Sequence, residues 1–220
     1  MNRRDALRTL ALIAPLLGAA GCSLLETKQP LAQVYTLAPA LPAASANPLP
    51  ATVTIKLMHP LCAPGLDSDN IALTRSGQRF DYYAHSRWAA PVPELVQSWA
   101  VDALRAAGHF RAVQSDAVPL DADYLLQLEI RRFQAEYQND EAPVVRVQLV
   151  ATLGRGADRS LISNVVVASD VPAGANRLQS ISAAFESALG QALAQLAQQV
   201  QPPSSSSSAA APPAAAATAP

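Results

Sequence analysis

Alternation of apolar and polar residues predicts the strands of this chain. From Ala51 onward, Val53, Ile55 and Leu57 alternate with polar residues, which is the two-residue period of a half-buried strand. The same reasoning predicts further strands at Ile71–Arg75, Phe80–Ala84, Phe110–Gln114, Ala122–Phe133, Pro143–Leu153 and Leu161–Ser169, and a short β-prone segment at Val34–Leu37.

The segments between these strands carry turn and loop residues. Pro60–Asn70 contains two prolines, a glycine and two aspartates and is predicted to be a loop, and Ser76-Gly77 is a turn signal. Gly154-Arg-Gly156 is predicted to be the turn of a hairpin. Consecutive predicted strands therefore favour antiparallel neighbours.

Two segments instead repeat apolar residues every three or four positions, which is the spacing of one buried helix face. The first follows Pro91, has Pro93 in its first turn and is expected to end at Gly108, a C-cap residue. The second runs from Arg177 to Val200. The order strands, helix, strands, helix predicts an α+β fold: an antiparallel-rich sheet with two helices packed on one face, as a two-layer sandwich.

The first 21 residues have the layout of a signal peptide. Arg3, Arg4 and Arg8 precede an apolar run, Leu10–Ala20, that is shorter than the roughly 20 residues needed to span a bilayer. The run ends in Leu-Gly-Ala-Ala-Gly followed by Cys22, which resembles a lipobox, so Cys22 is the predicted lipidation site. An ordinary secretory signal with a chance cysteine is the alternative, and both the general and the twin-arginine export routes remain open.

Lipidation would place the protein at a bacterial membrane, facing the periplasm, because several acyl chains on one residue anchor a protein stably. Ser23 favours the outer membrane, since an aspartate at that position would favour the inner one. The predicted organisation is a signal peptide at 1–21, the lipidated cysteine and a tether with a short β segment at 22–50, one domain at 51–201, and a disordered Ser/Ala/Pro tail at 202–220.

Charge and cysteine content exclude some functions. The net charge of −1 would become −3 after removal of residues 1–21, and this argues against a nucleic-acid partner, which usually meets a basic patch. Once Cys22 is acylated, Cys62 remains alone, so no internal disulfide is expected.

No pattern of catalytic or metal-binding residues stands out. His59, His85 and His109 occur in unrelated contexts, and hydrolase, zinc-protease and phosphate-loop motifs are absent. Two Asp-x-Asp pairs could hold a divalent cation but lack the rest of a calcium loop, so solvated loop carboxylates are the favoured interpretation: Asp67 with Asp69, and Asp121 with Asp123. We therefore expect no enzyme activity, no cofactor and no metal site.

The aromatic residues divide between core and surface. Trp99 lies on the apolar stripe of the first helix and is predicted to be a core residue, whereas Trp88 is expected to pack at the hinge before that helix. Tyr82 and Tyr83 should point to opposite faces of a strand, which leaves one of them exposed near a partner or a ligand groove.

Taken in order along the chain, these features resemble the ABC-type transport auxiliary lipoprotein family. The features are Cys22, Val34–Leu37, a first strand leading into Pro60-Leu61, Asp67–Arg75, Tyr83, Trp88-Ala89 with Pro91, the helix Glu94–Ala107, Ala122–Leu125 at the start of a long strand, and a terminal Ala/Leu-rich helix. The resemblance covers roughly residues 22–201 and lies in order and spacing rather than in one motif.

The resemblance implies a non-enzymatic accessory protein of an MCE-type lipid transport system. In such a system an ABC permease and ATPase work with a substrate-binding MCE protein that bridges the periplasm. The lipoprotein would bind the far end of that bridge at the periplasmic face of the outer membrane, as a ring-like homo-oligomer. An envelope-assembly or cell-wall lipoprotein with another protein partner is the alternative, and a periplasmic hydrolase is a third hypothesis.

Overall fold

The computed structural model describes residues 31–41, 52–76, 79–138 and 141–203 of the chain. Within them the chain forms nine strands and two helices. The strands are β1 (Gln33–Tyr35), β2 (Thr54–Leu57), β3 (Leu61–Cys62), β4 (Asn70–Arg75), β5 (Arg79–Trp88), β6 (Ala112–Ser115), β7 (Tyr124–Glu136), β8 (Val144–Arg155) and β9 (Leu161–Pro172), and the helices are α1 (Val92–Ala107) and α2 (Leu178–Gln199).

Strand β7 is the central strand of the sheet, since four strands pair with it directly and three more join it through one neighbour. Along one edge it pairs in turn with β2, β3 and β4, all parallel to it. Along the other edge it pairs antiparallel with β8, which pairs antiparallel with β9. Strand β5 extends the sheet antiparallel to β4, β1 lies parallel to β5, and β6 lies parallel to β2. The longest pairings are antiparallel and the short ones are parallel.

The alternation read from the sequence decides which face of the sheet is buried. Leu126, Leu128 and Ile130 of β7 are fully buried, whereas the residues between them are only partly covered. Val145, Val147, Leu149 and Ala151 of β8 lie on the same buried face. Both helices cover this face, which confirms the predicted α+β fold.

Each helix presents the predicted apolar stripe to this core. Helix α1 begins after Pro91 and ends at Gly108, whose φ of 72° is the left-handed conformation that glycine adopts most easily. In α2 the buried stripe includes Ile181, Phe185 and Leu189. Within the described part of the chain, no helix combines the length and the apolar character needed to cross a bilayer.

Two local predictions were wrong. The predicted loop Pro60–Asn70 contains β3, because the amides of Met58 and Ala63 bond to carbonyl oxygens of β7 and hold the segment in between against that strand. The pairing of the long strand β7 thus outweighs the local turn signals.

The predicted hairpin turn also lies elsewhere. Gly154 and Arg155 continue β8, and the turn to β9 begins at Gly156. A side chain at Gly156 would overlap the carbonyl oxygen of Ala122, so this glycine is required by a close approach of two backbones as well as by the turn.

Several predictions fall outside the described residues. They are the signal peptide at 1–21, the lipidation site Cys22, the tether up to residue 30, residues 42–51, Gly77 of the predicted turn, and the tail from residue 204 onward.

Candidate functional site

The described residues contain no catalytic or metal-binding cluster. His59 follows β2, His85 lies in an irregular part of β5 with φ of 54°, and His109 follows α1. In residues 31–41, 52–76, 79–138 and 141–203, no three His, Cys, Asp or Glu side chains come close enough together to hold a metal ion. The search for a site therefore turns to pockets and exposed surfaces.

The larger pocket lies where β2, β6 and β7 begin and β8 ends. Its volume is about 740 Å³. It is lined by Val53, Thr54, Arg111, Asp121, Ala122, Asp123, Tyr124, Arg155, Gly156 and Ala157. One of the two Asp-x-Asp pairs thus reaches a pocket together with two arginines, Arg111 and Arg155, which lie 44 positions apart along the chain.

Asp123 is held in place by Thr54. Its carboxylate oxygen Oδ2 accepts hydrogen bonds from the Thr54 backbone N–H at 2.7 Å and from the Thr54 hydroxyl at 2.8 Å. These two hydrogen bonds lower the pKa of Asp123 below its ordinary value, because they stabilise the charged form. Asp123 therefore joins β2 to the start of β7. Because it stays ionised, it has no proton to donate.

Two arginines accompany the two aspartates of this pocket, so the formal charges of its lining balance. Arg155 lies 3.9 Å from Asp158, a distance that allows only a weak ion pair, and Asp158 itself accepts hydrogen bonds from Ser160. Arg111 forms no ion pair within 4 Å in the described part of the chain, but its charge contributes, after the Thr54 hydrogen bonds, to the lowered pKa of Asp123. The pocket therefore offers guanidinium groups for polar or anionic recognition.

The other Asp-x-Asp pair lies between β3 and β4 and does not reach this pocket. Asp69 forms an ion pair with Arg87 of β5 at 2.9 Å. Burial raises the pKa of the Cys62 thiol to about 11, and the nearby negative charge of Asp67 adds to this rise because it disfavours the thiolate. These aspartates stabilise the β4–β5 region, in agreement with the interpretation as ordinary loop carboxylates.

A second, smaller pocket of about 410 Å³ lies beside α1. Leu37, Ala89, Ala90, Leu95 and Trp99 supply its apolar lining, and Thr36, Glu94 and Ser98 complete it. Trp99 is half-buried here rather than a core residue, so its predicted position was wrong. Trp88 ends β5 and is fully buried, which makes it the core tryptophan instead of a hinge residue.

The two tyrosines of β5 diverge as predicted. Tyr82 is 37% exposed, packs edge to face on Phe80 and donates a hydrogen bond to the Gly65 carbonyl at 2.8 Å. Tyr83 is half-buried, and its hydroxyl lies 2.9 Å from that of Tyr137. Burial, followed by this hydrogen bond, raises the pKa of Tyr83. The Tyr137 hydroxyl donates in turn to Asn176 at 2.8 Å, so Tyr83 joins β5 to a hydrogen-bond network at the end of β7.

The sequence does not indicate that Arg111 and Arg155 share a pocket. Arg111 follows an apolar residue before a short strand, and Arg155 stands in a Gly-Arg-Gly segment that resembles any turn. They approach each other only because β6 and β8 lie on either side of the β2–β7 pair. No local pattern in the sequence predicts that β6, β2, β7 and β8 lie side by side in this order.

Comparison with known proteins identifies one family. The family model described as the ABC-type transport auxiliary lipoprotein component matches residues 35–201. No curated protein matches the chain in sequence.

Solved structures share the fold. A protein from Xanthomonas campestris that belongs to the DUF330 family model is 23% identical, with a TM-score of 0.69, over 76% of this chain and 93% of its own. An uncharacterised protein is 13% identical, with a TM-score of 0.59, over 76% and 97%. A PelC dodecamer from Paraburkholderia phytofirmans is 15% identical, with a TM-score of 0.42, over 70% and 93%.

Proposed function

Because this chain belongs to the ABC-type transport auxiliary lipoprotein family, we propose that it is a lipid-anchored accessory component of a transport system in the bacterial cell envelope. The match of the family model to residues 35–201 is the observation that carries the proposal, since it spans every described strand and helix apart from the first two residues of β1. The transported molecules are lipids or other hydrophobic compounds.

The anchor is Cys22, which lies outside the described residues. The apolar run and the small residues before it support lipidation, and Ser23 supports the periplasmic face of the outer membrane. A chain that leaves the anchor at residue 22 and joins the sheet at β1 can reach about 35 Å from the membrane when extended. The domain can therefore meet a partner in the periplasm while it stays anchored.

The role is recruitment and positioning rather than chemistry. The described carboxylates with lowered pKa values, Asp123 and Asp158, accept local hydrogen bonds from Thr54 and Ser160, which stabilise β2 against β7 and the turn after β8. A non-enzymatic protein fits a family of transport auxiliaries.

The partner that we propose is the substrate-binding MCE protein of an ABC lipid transport system, and the lipoprotein binds it as a homo-oligomer. The arginine pocket at the start of β7 offers a polar surface for such a contact. This partner follows from the family resemblance and not from any contact present in the structure.

Co-purification of the anchored protein from membranes tests the proposal. After mild cross-linking in cells, the tagged full chain is expected to recover an MCE protein together with its ABC permease, and mass spectrometry identifies the proteins and any bound lipid. The variant Arg111→Ala with Arg155→Ala is the matched comparison for the arginine pocket, and Arg79→Ala is a control because its side chain lies elsewhere on the surface.

Two results would contradict the proposal. Recovery of envelope-assembly or cell-wall proteins, and of no transport component, would favour the alternative role as an assembly lipoprotein. A hydrolytic activity that one Asp or His substitution abolishes would show that the protein is an enzyme.

A further inference from the structure

Hydrogen bonds from two neighbouring strands hold the segment that leads into β7 and lines the arginine pocket. Just after β8, the Gly156 N–H donates to the Asp123 carbonyl oxygen at 2.7 Å, and a side chain at Gly156 would overlap the Ala122 carbonyl oxygen. From β2, the backbone N–H and the hydroxyl of Thr54 donate to the Asp123 carboxylate. The pocket is therefore built by contacts between β2, β7 and β8.

Arg111 and Arg155 flank this pocket from opposite sides. Arg155 pairs with Tyr124 of β7, and Tyr124 pairs with Ile55 of β2. On the far side of β2, the Arg111 N–H donates to the Val53 carbonyl oxygen at 2.8 Å, just before β6 begins. The strand order β6, β2, β7 and β8 separates the two arginines by three strand spacings, about 14 Å across the sheet. A ligand between them would meet a guanidinium group from each side.

The fold leaves hydrogen-bond donors of both guanidinium groups unused. Arg155 lies 3.9 Å from Asp158, whose Oδ1 already accepts two hydrogen bonds from Ser160. The Arg111 side chain donates no hydrogen bond among the described residues, although its charge acts on Asp123. A guanidinium group has five N–H donors in a planar fork that suits carboxylate and phosphate oxygens. The two arginines can therefore bind an anionic group together.

Asp121 supplies a free negative charge in the same pocket. Its backbone is held by the Gln114 side chain of β6, which donates to the carbonyl oxygens of Leu120 and Asp121 at 3.4 and 3.5 Å. Its carboxylate lines the pocket and has no hydrogen bond or ion pair among the described residues. This carboxylate would repel a simple anion, whereas it would attract a cationic group of the same ligand. The free charges of the pocket therefore match a zwitterion.

We propose that the arginine pocket binds a phosphate ester that carries a primary ammonium group, with the phosphate on Arg111 and Arg155 and the ammonium on Asp121. This is the chemistry of phosphoethanolamine, which occurs in the head group of an aminophospholipid and in soluble esters. The inference rests on the proposed function, because a transport partner that docks at this surface would bring a lipid to the pocket.

The two arginines select a phosphate over a carboxylate. One guanidinium group can satisfy both oxygens of a carboxylate through a bidentate contact, so a second arginine on the opposite side would have no acceptor. A tetrahedral phosphate has oxygens that point in several directions, and guanidinium groups on opposite sides can bind it at once. The spacing of Arg111 and Arg155 across four strands therefore favours the phosphate.

Asp121 selects a primary ammonium over a quaternary one. A primary ammonium has three N–H donors for a carboxylate, whereas quaternary ammonium groups are bound by the faces of aromatic side chains. Tyr124 is the aromatic residue of the lining, and it is only 8% exposed. The pocket is therefore expected to bind ethanolamine esters more tightly than choline esters.

Calorimetric titration of the full chain in a non-ionic detergent tests this selectivity. The probe is glycerophosphoethanolamine. Glycerophosphocholine lacks the N–H donors, glycerophosphoglycerol lacks the ammonium, and β-alanine replaces the phosphate by a carboxylate. We expect the probe to bind about tenfold or more tightly than each of the others, because each lacks a charged hydrogen-bonded contact.

Substitutions assign the two halves of the ligand to their residues. Arg111→Gln and Arg155→Gln should each weaken glycerophosphoethanolamine and glycerophosphoglycerol alike, by about tenfold or more. Asp121→Asn should weaken only glycerophosphoethanolamine, so that its affinity approaches that of glycerophosphocholine. Arg79→Gln and Asp81→Asn are the matched controls, since these residues form an ion pair on β5 outside the pocket. Circular dichroism verifies that every variant folds.

Three results would overturn the proposal. They are equal affinities for the ethanolamine and choline esters, an affinity for β-alanine that equals that for the probe, and affinities that the arginine and Asp121 substitutions leave unchanged. Displacement of the bound probe by phosphatidylethanolamine in mixed micelles identifies a lipid head group as the source of the ligand. Displacement by soluble ethanolamine esters alone identifies a soluble source, with the same chemistry in the pocket.

The titration and the co-purification fail independently. If glycerophosphoethanolamine binds and no transport component is recovered from membranes, the binding site stands and the proposed transport role is wrong. If transport proteins are recovered and no probe binds to the purified chain, the transport role stands and the binding site is wrong.

Discussion

Trp88 lies in an aromatic cluster at the centre of the core. Its ring centroid is 5.1 Å from that of Phe185 in α2 and 6.1 Å from that of Phe133 in β7, and no part of the residue is exposed. Its Nε1 has no hydrogen-bond partner in the described residues. The Trp88 side chain therefore stabilises the fold by packing alone, and it joins the sheet to the second helix.

Replacing Trp88 should destabilise the protein strongly. Trp88→Ala removes a large buried side chain and leaves a cavity, and such substitutions cost about 3–5 kcal/mol of the free energy of unfolding. Trp99→Ala is the matched control, because Trp99 is half-buried beside α1 and should cost clearly less. Urea unfolding followed by circular dichroism measures both, and equal losses would mean that Trp88 does not occupy the core.

Asp123 should make stability depend on pH. Its folded pKa is lowered by the hydrogen bonds from Thr54, so it contributes stability above the unfolded pKa of about 3.9 and loses that contribution as the pH falls through the folded pKa. We expect Asp123→Asn to destabilise the protein at about pH 7 by less than about 1 kcal/mol, since the exposed group is screened by solvent. The difference should shrink toward about pH 3.

Asp121→Asn provides the comparison for this experiment. The Asp121 side chain lines the same pocket but forms no hydrogen bond or ion pair among the described residues. Thermal unfolding across the pH range should therefore show little change for this variant. A difference for Asp123→Asn that persists unchanged at low pH would contradict the role assigned to its charge.

At the scale of elements, residues 33–41 form a strap across the domain. Strand β1 pairs with the end of β5, Leu37 is buried, and the Ala38 N–H donates to Glu186 of α2 at 3.2 Å. One turn further along α2, Ala40 lies directly over Gly190. The strap thus depends on a glycine inside a helix, where glycine is otherwise unfavourable.

Gly190→Ala should therefore destabilise the protein, although the same change in an open helix stabilises it by about 1 kcal/mol. A Cβ at this position would lie 2.9 Å from the Ala40 carbonyl oxygen, so the strap must move away. Unfolding free energies measure the effect, and proteolysis of the N-terminal segment should become faster.

Ala183→Gly is the control for this substitution, because Ala183 is an exposed residue of the same helix. It should lose about 1 kcal/mol through helix propensity alone. A stabilised Gly190→Ala variant would show that the strap does not lie close to α2 in solution.

At the scale of the whole molecule, the anchor and the domain should be separable. Cys22→Ala removes the proposed lipidation site, and every described strand and helix lies after that residue. We expect this variant to be a soluble, folded periplasmic protein with an unchanged thermal midpoint. Cell fractionation and circular dichroism of the released protein measure the two properties.

The same experiment can contradict the anchor. If the Cys22→Ala variant stays with the outer membrane after a high-salt wash, lipidation at Cys22 is not what holds the protein there. Ser23→Asp serves as the comparison that retains the cysteine, and it should stay membrane-bound while it shifts toward the inner membrane.

Sequence periodicity predicted the secondary structure because an element buried on one face repeats its apolar residues at the period of a strand or a helix. In β2, β7 and both helices, the residues that alternate or repeat as predicted are the ones that the structure buries. The candidate sites were less predictable. Trp99 matches the stripe of α1 and packs against the core, but one side of it lines the pocket beside α1, so its half-buried position depends on packing rather than on spacing.

By itself the sequence determined the fold class, the two helices and the family, and it predicts the anchor at Cys22, because each of these depends on local patterns and on their order along the chain. Only the tertiary structure decided that β2, β3 and β4 share one edge of β7, that Arg111 and Arg155 line one pocket, and that glutamines of α2 bond to Ala168 and Ser169 of β9. These contacts join distant residues, and their partners are chosen by the backbone hydrogen bonds and the buried surface of the whole sheet.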